Sequence, residues 1–217
     1  MITQPSRTVA LIVAHPDDET LWAGGTMLLN PKWKWFVVCL CRGNDKERAP
    51  RYFKALKILK AEGTMGDLDD GPDQNPLKEE KVENTILKLL PHTLFDLVIT
   101  HNPTGEYTKN LRHEEASKAV INLWHSGKLQ TKELWTFAYE DGNKEYYPKP
   151  FEKATLHYPL SEEIWKKKYE LITQTYGFKK EGWEAHTTPH AEAFWQFNNP
   201  NEAMRWLENG GVLAENK

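Results

Sequence analysis

Two cysteines are all that this chain of 217 residues contains. That excludes a disulfide framework and a zinc site built from thiolates. Cys39 and Cys41, close together in one apolar run, are expected as free buried thiols of a reducing compartment. An excess of charge of one sign is missing too. With 28 Lys and Arg against 31 Asp and Glu, the net charge is only −3, and the basic residues are scattered. Their densest run, Lys166-Lys167-Lys168, reads as the solvated face of a helix, so no nucleic-acid partner is implied. No apolar stretch reaches the length of a membrane span. Met1 to Arg7 lead straight into a strand-like run without the apolar core of a signal peptide. Nor is the first strand followed by Gly-x-Gly-x-x-Gly, which disfavours a nicotinamide cofactor. What remains is a cytoplasmic protein acting on a small molecule, with its oligomeric state left open.

The chain is long enough for one sizeable domain, expected over residues 1–217. Strand-like runs recur at Thr8–Ala14, Phe36–Cys41, Phe95–Thr100 and Leu134–Tyr139, with helical patterns between them, as at Lys81–Leu90 and Glu115–Leu123. Strand alternating with helix predicts an α/β fold of Rossmann-like type, three layers deep, with a mostly parallel sheet and helices on both faces. A helix entered near Arg51 is expected to stop at Gly63. The acidic stretch Gly66–Pro76 reads as a surface loop, since it lacks the twelfth-position Glu of a calcium loop.

The informative string is Ala14-His15-Pro16-Asp17-Asp18-Glu19. It follows a fully apolar strand, Thr8–Val13, and precedes the helix-like Thr20–Leu29 with its Gly24-Gly25-Thr26. An imidazole and two adjacent carboxylates therefore sit at the carboxyl end of a strand, where open α/β sheets bind ligands. His15 and Asp18, three apart across a turn stiffened by Pro16, can face one point and suit a divalent metal. Asp17 must point elsewhere, where it can act as a general base beside a metal-bound water. A catalytic zinc site needs a third protein ligand and an open position. His113 opens a helical pattern just past a strand's exit loop. His101, at the strand's end, competes with it.

Ala14–Glu19 with Gly24-Gly25-Thr26, followed by the second block Ile99–Ala116, resembles the signature of the PIG-L/LmbE family of zinc-dependent deacetylases. Members of that family mostly remove N-acetyl groups from N-acetylglucosamine conjugates. The resemblance implies His15, Asp18 and His113 as zinc ligands and Asp17 as general base. It also implies a sugar-contacting arginine at Arg51, with Arg42 as the alternative. Zinc, iron(II) or cobalt could occupy such a set. The chain departs from the pattern in three places. Arg112 stands where relatives have Asp, Thr108-Lys109-Asn110 follow Gly-Glu-Tyr, and Trp22 replaces a usual Gly. The late histidine that stabilises an oxyanion in some relatives has no counterpart in Glu170–Gln174, which leaves His190, or His186, to substitute.

Nine tryptophans invite a carbohydrate reading, because aromatic faces stack on sugar rings. Most are expected in the core, with Trp22 and Trp183 as candidates for the pocket wall. The implied reaction is hydrolysis of an N-acetyl group from an N-acetylglucosamine-type conjugate. A non-sugar or nucleoside-type amide is the alternative substrate, and a non-catalytic sugar-binding domain the alternative role.

Overall fold

A computed structural model of the protein describes residues 6–211. The apolar run Thr8–Val13 forms β1, and its side chains alternate between two cores. Val9, Leu11 and Val13 enter one, and Ala10 and Ile12 enter the other. A strand buried on both faces has no polar side, so its sequence reads as continuously apolar. The chain continues through α1 (Asp18–Leu29), β2 (Lys34–Cys41), α2 (Arg48–Leu59), β3 (Glu62–Leu68) and α3 (Glu79–Leu89). Then come β4 (Leu94–Thr100), α4 (Leu111–His125), β5 (Gln130–Phe137) and the short strands β6 (Tyr139–Glu140), β7 (Lys149–Pro150) and β8 (Leu156–Pro159). Helix α5 (Glu162–Glu170) runs into a π-helical turn, Leu171–Thr175. Helix α6 (Trp183–Thr187), β9 (Ala191–Phe197) and α7 (Pro200–Glu208) complete the described chain.

Seven strands form one sheet in the order β3-β2-β1-β4-β5-β9-β8. The first five run parallel, and β9 is antiparallel to both β5 and β8. Helices α1 and α2 and the π-helical turn cover one face through Trp22, Tyr52 and Ile172. Helices α3, α4 and α7 cover the other through Ile86, Val120 and Trp206. This is the expected three-layer, Rossmann-like arrangement. The strand order turns outward in both directions from β1 and β4, which makes the gap between their carboxyl ends the switch point of the sheet.

One local expectation is corrected. Helix α2 stops at Leu59 because Lys60 takes the left-handed conformation, φ 57°, and Gly63 lies inside β3, paired with Val37. A β-carbon at Gly63 would come within 2.5 Å of the Val37 carbonyl oxygen, so glycine serves strand approach there and not helix termination. The cysteines straddle a register shift between β2 and β3. Cys39 therefore enters one core and Cys41 the other, where a regular strand would line both on one face. Both are free and buried. Among the described residues, no helix is long and apolar enough to cross a membrane.

Candidate metal centre and active site

β1 delivers Ala14 and His15 to the switch point, and the chain then turns sharply into α1. Asp17 makes the turn with φ 127° and ψ −26°. A non-glycine residue held at such a φ costs about 1–3 kcal/mol. Asp18 opens α1, and its Oδ2 accepts the His15 backbone N–H at 2.8 Å. Across the gap, His101 comes directly after β4. The loop then returns to α4, whose N-cap Asn110 accepts from the Arg112 and His113 amides. His113 thus sits in the first turn of α4 and points back at β1.

Three atoms converge here. His15 Nδ1 lies 3.1 Å from His113 Nε2, and Asp18 Oδ2 lies 3.3 Å from each of them. The other nitrogen of each ring fixes its tautomer. His113 Nδ1 donates to Glu106 Oε2 at 2.5 Å, and His15 Nε2 donates to Asp70 Oδ1 at 3.1 Å. With both rings neutral, the converging atoms are two lone pairs and a carboxylate oxygen. Such a triangle calls for a cation. Donors of a tetrahedral zinc site are about 3.3 Å apart, given bond lengths near 2.0–2.1 Å, and this triangle has those edges. Burial works to lower the pKa of His15 and His113, yet their carboxylate neighbours outweigh it and raise both. The site attracts positive charge.

His101 is engaged at both ring nitrogens. Its Nε2 accepts the Ala14 amide at 2.9 Å, which is closer than its 3.5 Å approach to Asp18. Its Nδ1 donates to Glu106 at 2.8 Å. Glu106, fully buried, also accepts the Asn102 amide. Burial opposes its ionisation, but His101 and His113 pull its pKa down to about 2. His101, Glu106 and His113 could also group around a metal, but Glu106 here receives a proton-bearing nitrogen from each ring and acts as their shared orienting carboxylate.

The two adjacent aspartates are driven apart. Burial opposes ionisation of Asp18 as well, but the His113 imidazole holds its carboxyl well below the usual range. Asp17 goes the other way. Burial and the neighbouring Asp18 charge raise it well above the usual range, against the opposing pull of Arg48. Two neighbouring carboxyls whose environments push them in opposite directions are a pattern found at acid–base sites. Asp17 faces a cavity of about 330 Å³ lined by His15, Asp18, Arg48, Tyr107 and Trp183, among others. Arg48 Nη1 meets Asp17 Oδ2 at 3.2 Å, and its guanidinium lies 4.4 Å from the centre of the Phe178 ring.

The remaining sequence candidates fall differently. Arg42 lines the cavity and pairs with Asp70 at 2.7 Å. Arg51 is turned away. It donates to the Tyr176 carbonyl and pairs with Glu47, and Arg48, one turn earlier on α2, is the arginine that lines the cavity. Trp22 is fully buried behind the site, and its indole N–H donates to Asp18 Oδ1 at 3.1 Å, so it steadies the carboxylate and does not line the wall. His190 stacks on Trp165, ring centres 4.1 Å apart, and His186 stacks on Tyr147. Neither is among the residues that line the cavity, since α6 places one and the start of β9 the other outside it. Trp183 is at the wall, 37% exposed and edge-on to Tyr107.

Asp70 and Arg48 do not stand out in the sequence, and Glu106 and Tyr107 figure there only as part of the Gly-Glu-Tyr of the second block. The stretch Gly66–Pro76 is largely the expected surface loop, but it is anchored. Its first residues complete β3, and Arg112 anchors the rest by donating to the Asp69 and Asn75 carbonyls, which delivers Asp70 to His15. A buried Glu between two histidines is a three-dimensional signal. Its trace in sequence, besides the Gly-Glu-Tyr string, is that Glu106 lies between His101 and His113 in one exit loop.

A parallel α/β sheet with a His–Asp–His donor set and a second carboxylate at its switch point defines a Rossmann-like protein with a candidate metal centre. The family emerges from sequence comparison. The model of the PIG-L family, described as GlcNAc-PI de-N-acetylase, matches residues 10–124, and the chain belongs to that family. Uncharacterized protein L374 of Acanthamoeba polyphaga mimivirus is 25% identical over 186 residues, 78% of this chain and 79% of that protein. Among solved structures, N,N'-diacetylchitobiose deacetylase from Pyrococcus horikoshii superposes with a TM-score of 0.64 at 16% identity, over 88% of this chain and 84% of that one. The 4-carboxy-2-hydroxymuconate hydratase GalB of Pseudomonas putida KT2440 gives 0.61 at 17%, over 97% and 99%. A zinc-inhibited form of teicoplanin deacetylase gives 0.60 at 13%, over 87% and 97%. At these identities the likeness is one of fold.

Proposed function

We propose that the protein is a zinc-dependent hydrolase that removes the N-acetyl group from an N-acetylglucosamine-type conjugate. The observation that carries the reading is the triangle of His15 Nδ1, His113 Nε2 and Asp18 Oδ2 beside a second carboxylate, Asp17, that opens onto the same cavity. Membership of the PIG-L family and the fold shared with two deacetylases support the substrate class. A zinc ion held by the three ligands would supply a Lewis acid and a water acidic enough to ionise near neutral pH.

The residues of the chain do the rest. Asp17, its proton affinity raised by burial, takes a proton from the attacking water and returns it to the leaving amine. Arg48 holds the Asp17 carboxylate by one oxygen, Oδ2, and so leaves Oδ1 for that exchange. Asp70 and Glu106 keep the two imidazoles in the tautomer that presents lone pairs to the metal. Trp183 and Tyr107 form an aromatic corner suited to a pyranose ring. The amide C–N bond breaks, and acetate and an amino sugar result.

The test is acetate release from N-acetylglucosamine and several of its glycosides, on protein of measured metal content. The expected result is release that a chelator stops, that zinc restores, and that is lost in His113→Ala and in Asp17→Asn. Bound metal without acetate from any sugar would retain the hydrolytic centre and overturn the sugar substrate, pointing to a non-sugar amide. Full activity of metal-replete Asp17→Asn would overturn the role of Asp17.

A further inference from the structure

Asp17 is held in its unusual backbone conformation by residues that the proposed reaction does not use. Its amide N–H donates to Glu19 Oε2 at 3.1 Å. Glu19 is fully buried, and its other oxygen accepts the Thr20 hydroxyl at 2.5 Å and the Tyr176 hydroxyl at 2.7 Å. Tyr176 comes from the far end of the chain. It succeeds the π-helical turn Leu171–Thr175, and its own amide donates to the carbonyl five residues back, that of Leu171. Such a turn inserts extra chain into a helix and rotates the segment beyond it. Here that segment carries the ring that reaches under α1. Arg51 fastens it further by donating to the Tyr176 carbonyl. Gly177, φ 76°, leaves room for that guanidinium, since a β-carbon there would lie 2.8 Å from Arg51 Nη1.

We infer that Glu19 and Tyr176, backed by Arg51, form a clamp that positions Asp17 for proton transfer. The clamp acts on the Asp17 main chain, and Arg48 on its side chain, so the carboxylate is fixed from both ends. The inference rests on the reading of Asp17 as the base, and it gives the buried Glu19 and the π-helical turn one common purpose. Glu19 and Tyr176 are positioning residues that do not line the cavity around Asp17.

The test compares Glu19→Ala, Glu19→Gln and Tyr176→Phe with wild type and with Asp17→Asn, all metal-replete, by acetate release from N-acetylglucosamine glycosides and by crystal structure. In Glu19→Ala, kcat should fall about 100-fold, as for a reacting group displaced by about an ångström, with KM and zinc content unchanged, and Asp17 should leave positive φ. Glu19→Gln should rescue most of the loss, because its carbonyl oxygen can accept the Asp17 amide while its NH2 group donates to the two hydroxyls. Tyr176→Phe, which keeps the ring and the fold, should show a smaller loss in kcat alone. Wild-type kcat in Glu19→Ala alongside an inactive Asp17→Asn would overturn the clamp and spare the base. An active Asp17→Asn would overturn the base itself. If no glycoside releases acetate, the crystal structures decide, and an Asp17 still at positive φ in Glu19→Ala overturns the clamp.

Discussion

Replacing Glu106 separates charge from hydrogen bonding at the candidate metal centre. The carboxylate accepts His101 Nδ1 and His113 Nδ1 on Oε2 and the Asn102 amide on Oε1. A glutamine has one acceptor edge and one donor edge. With its carbonyl toward the imidazoles, its NH2 faces the Asn102 N–H and leaves that buried donor unpaired, at about 1–3 kcal/mol. Turned over, it forces both imidazoles into the other tautomer. His101 Nε2–H would then oppose the Ala14 N–H, and His113 Nε2 would lose the lone pair it offers to the triangle. The second arrangement costs more, so the first wins. Glu106→Gln should keep the tautomers, lose about 2 kcal/mol of stability and shift Tm down by roughly 4–8 °C for a chain of this size. Its zinc affinity should fall about 10-fold through loss of the carboxylate's charge. Glu106→Ala leaves three donors without a partner and should lose roughly 3–5 kcal/mol, with zinc affinity down about 100-fold. Competition with a calibrated chelator measures the affinities, and thermal unfolding of chelator-treated protein measures stability apart from zinc. Wild-type zinc affinity in both variants would refute the claim that Glu106 sets the His113 lone pair.

Buried and surface charge give two further outcomes. Glu192, fully buried, accepts Lys168 Nζ at 2.6 Å on Oε1, along with the Gly25 amide, and the Thr26 amide and hydroxyl on Oε2. Glu192→Leu strands all four donors, an unpaired buried ammonium among them, and should cost roughly 3–5 kcal/mol. Lys168→Met leaves Glu192 three donors and should cost clearly less in denaturant titrations; an equal or larger cost would contradict this ordering. At the other end of the sheet, the Lys132 ammonium and the Thr8 amide and hydroxyl hold Asp96 well below the usual carboxylate range. A depressed folded-state value stabilises the protein above the unfolded value of about 3.9 and loses that contribution as pH falls through the folded one. Asp96→Asn should therefore flatten the loss of stability on acidification below about pH 4, read by chemical unfolding at stepped pH. An unchanged slope would rule out Asp96 as a source of it.

The strand-to-helix passage at Ala14–Glu19 is legible because two local signals coincide there, an apolar run buried on both faces and charged residues at its carboxyl end. His113 is legible from its place at the head of a helical pattern, together with the family resemblance. The features that escape a sequence reading are set by packing between distant segments. Arg48 and Arg51 sit one turn apart on α2, and which of them faces the cavity depends on how the helix lies on the sheet. The strand β3 is hidden because Glu62–Leu68 holds two glycines and few β-branched residues, and it stands at the sheet edge, where pairing with a single neighbour suffices. His190 lies just before β9, but the ring turns to Trp165, and no pattern in the sequence encodes that stacking.

The carboxylate of Glu192 reaches into the middle of α1 and takes two main-chain amides there, while the Tyr139 hydroxyl donates to the Trp22 carbonyl of the same helix. A β-carbon at Gly25 would lie 2.5 Å from Leu160, so this glycine lets the last sheet strand and its neighbours close on the first helix. The consequence concerns the order of assembly. All three candidate metal ligands are translated by the time His113 is added, yet the helix that begins with Asp18 is completed by a side chain that lies 167 residues beyond Gly25. A nascent or truncated chain ending after α4 would carry all three candidate ligands and still lack the strand whose Glu192 takes up amides of the helix that Asp18 opens.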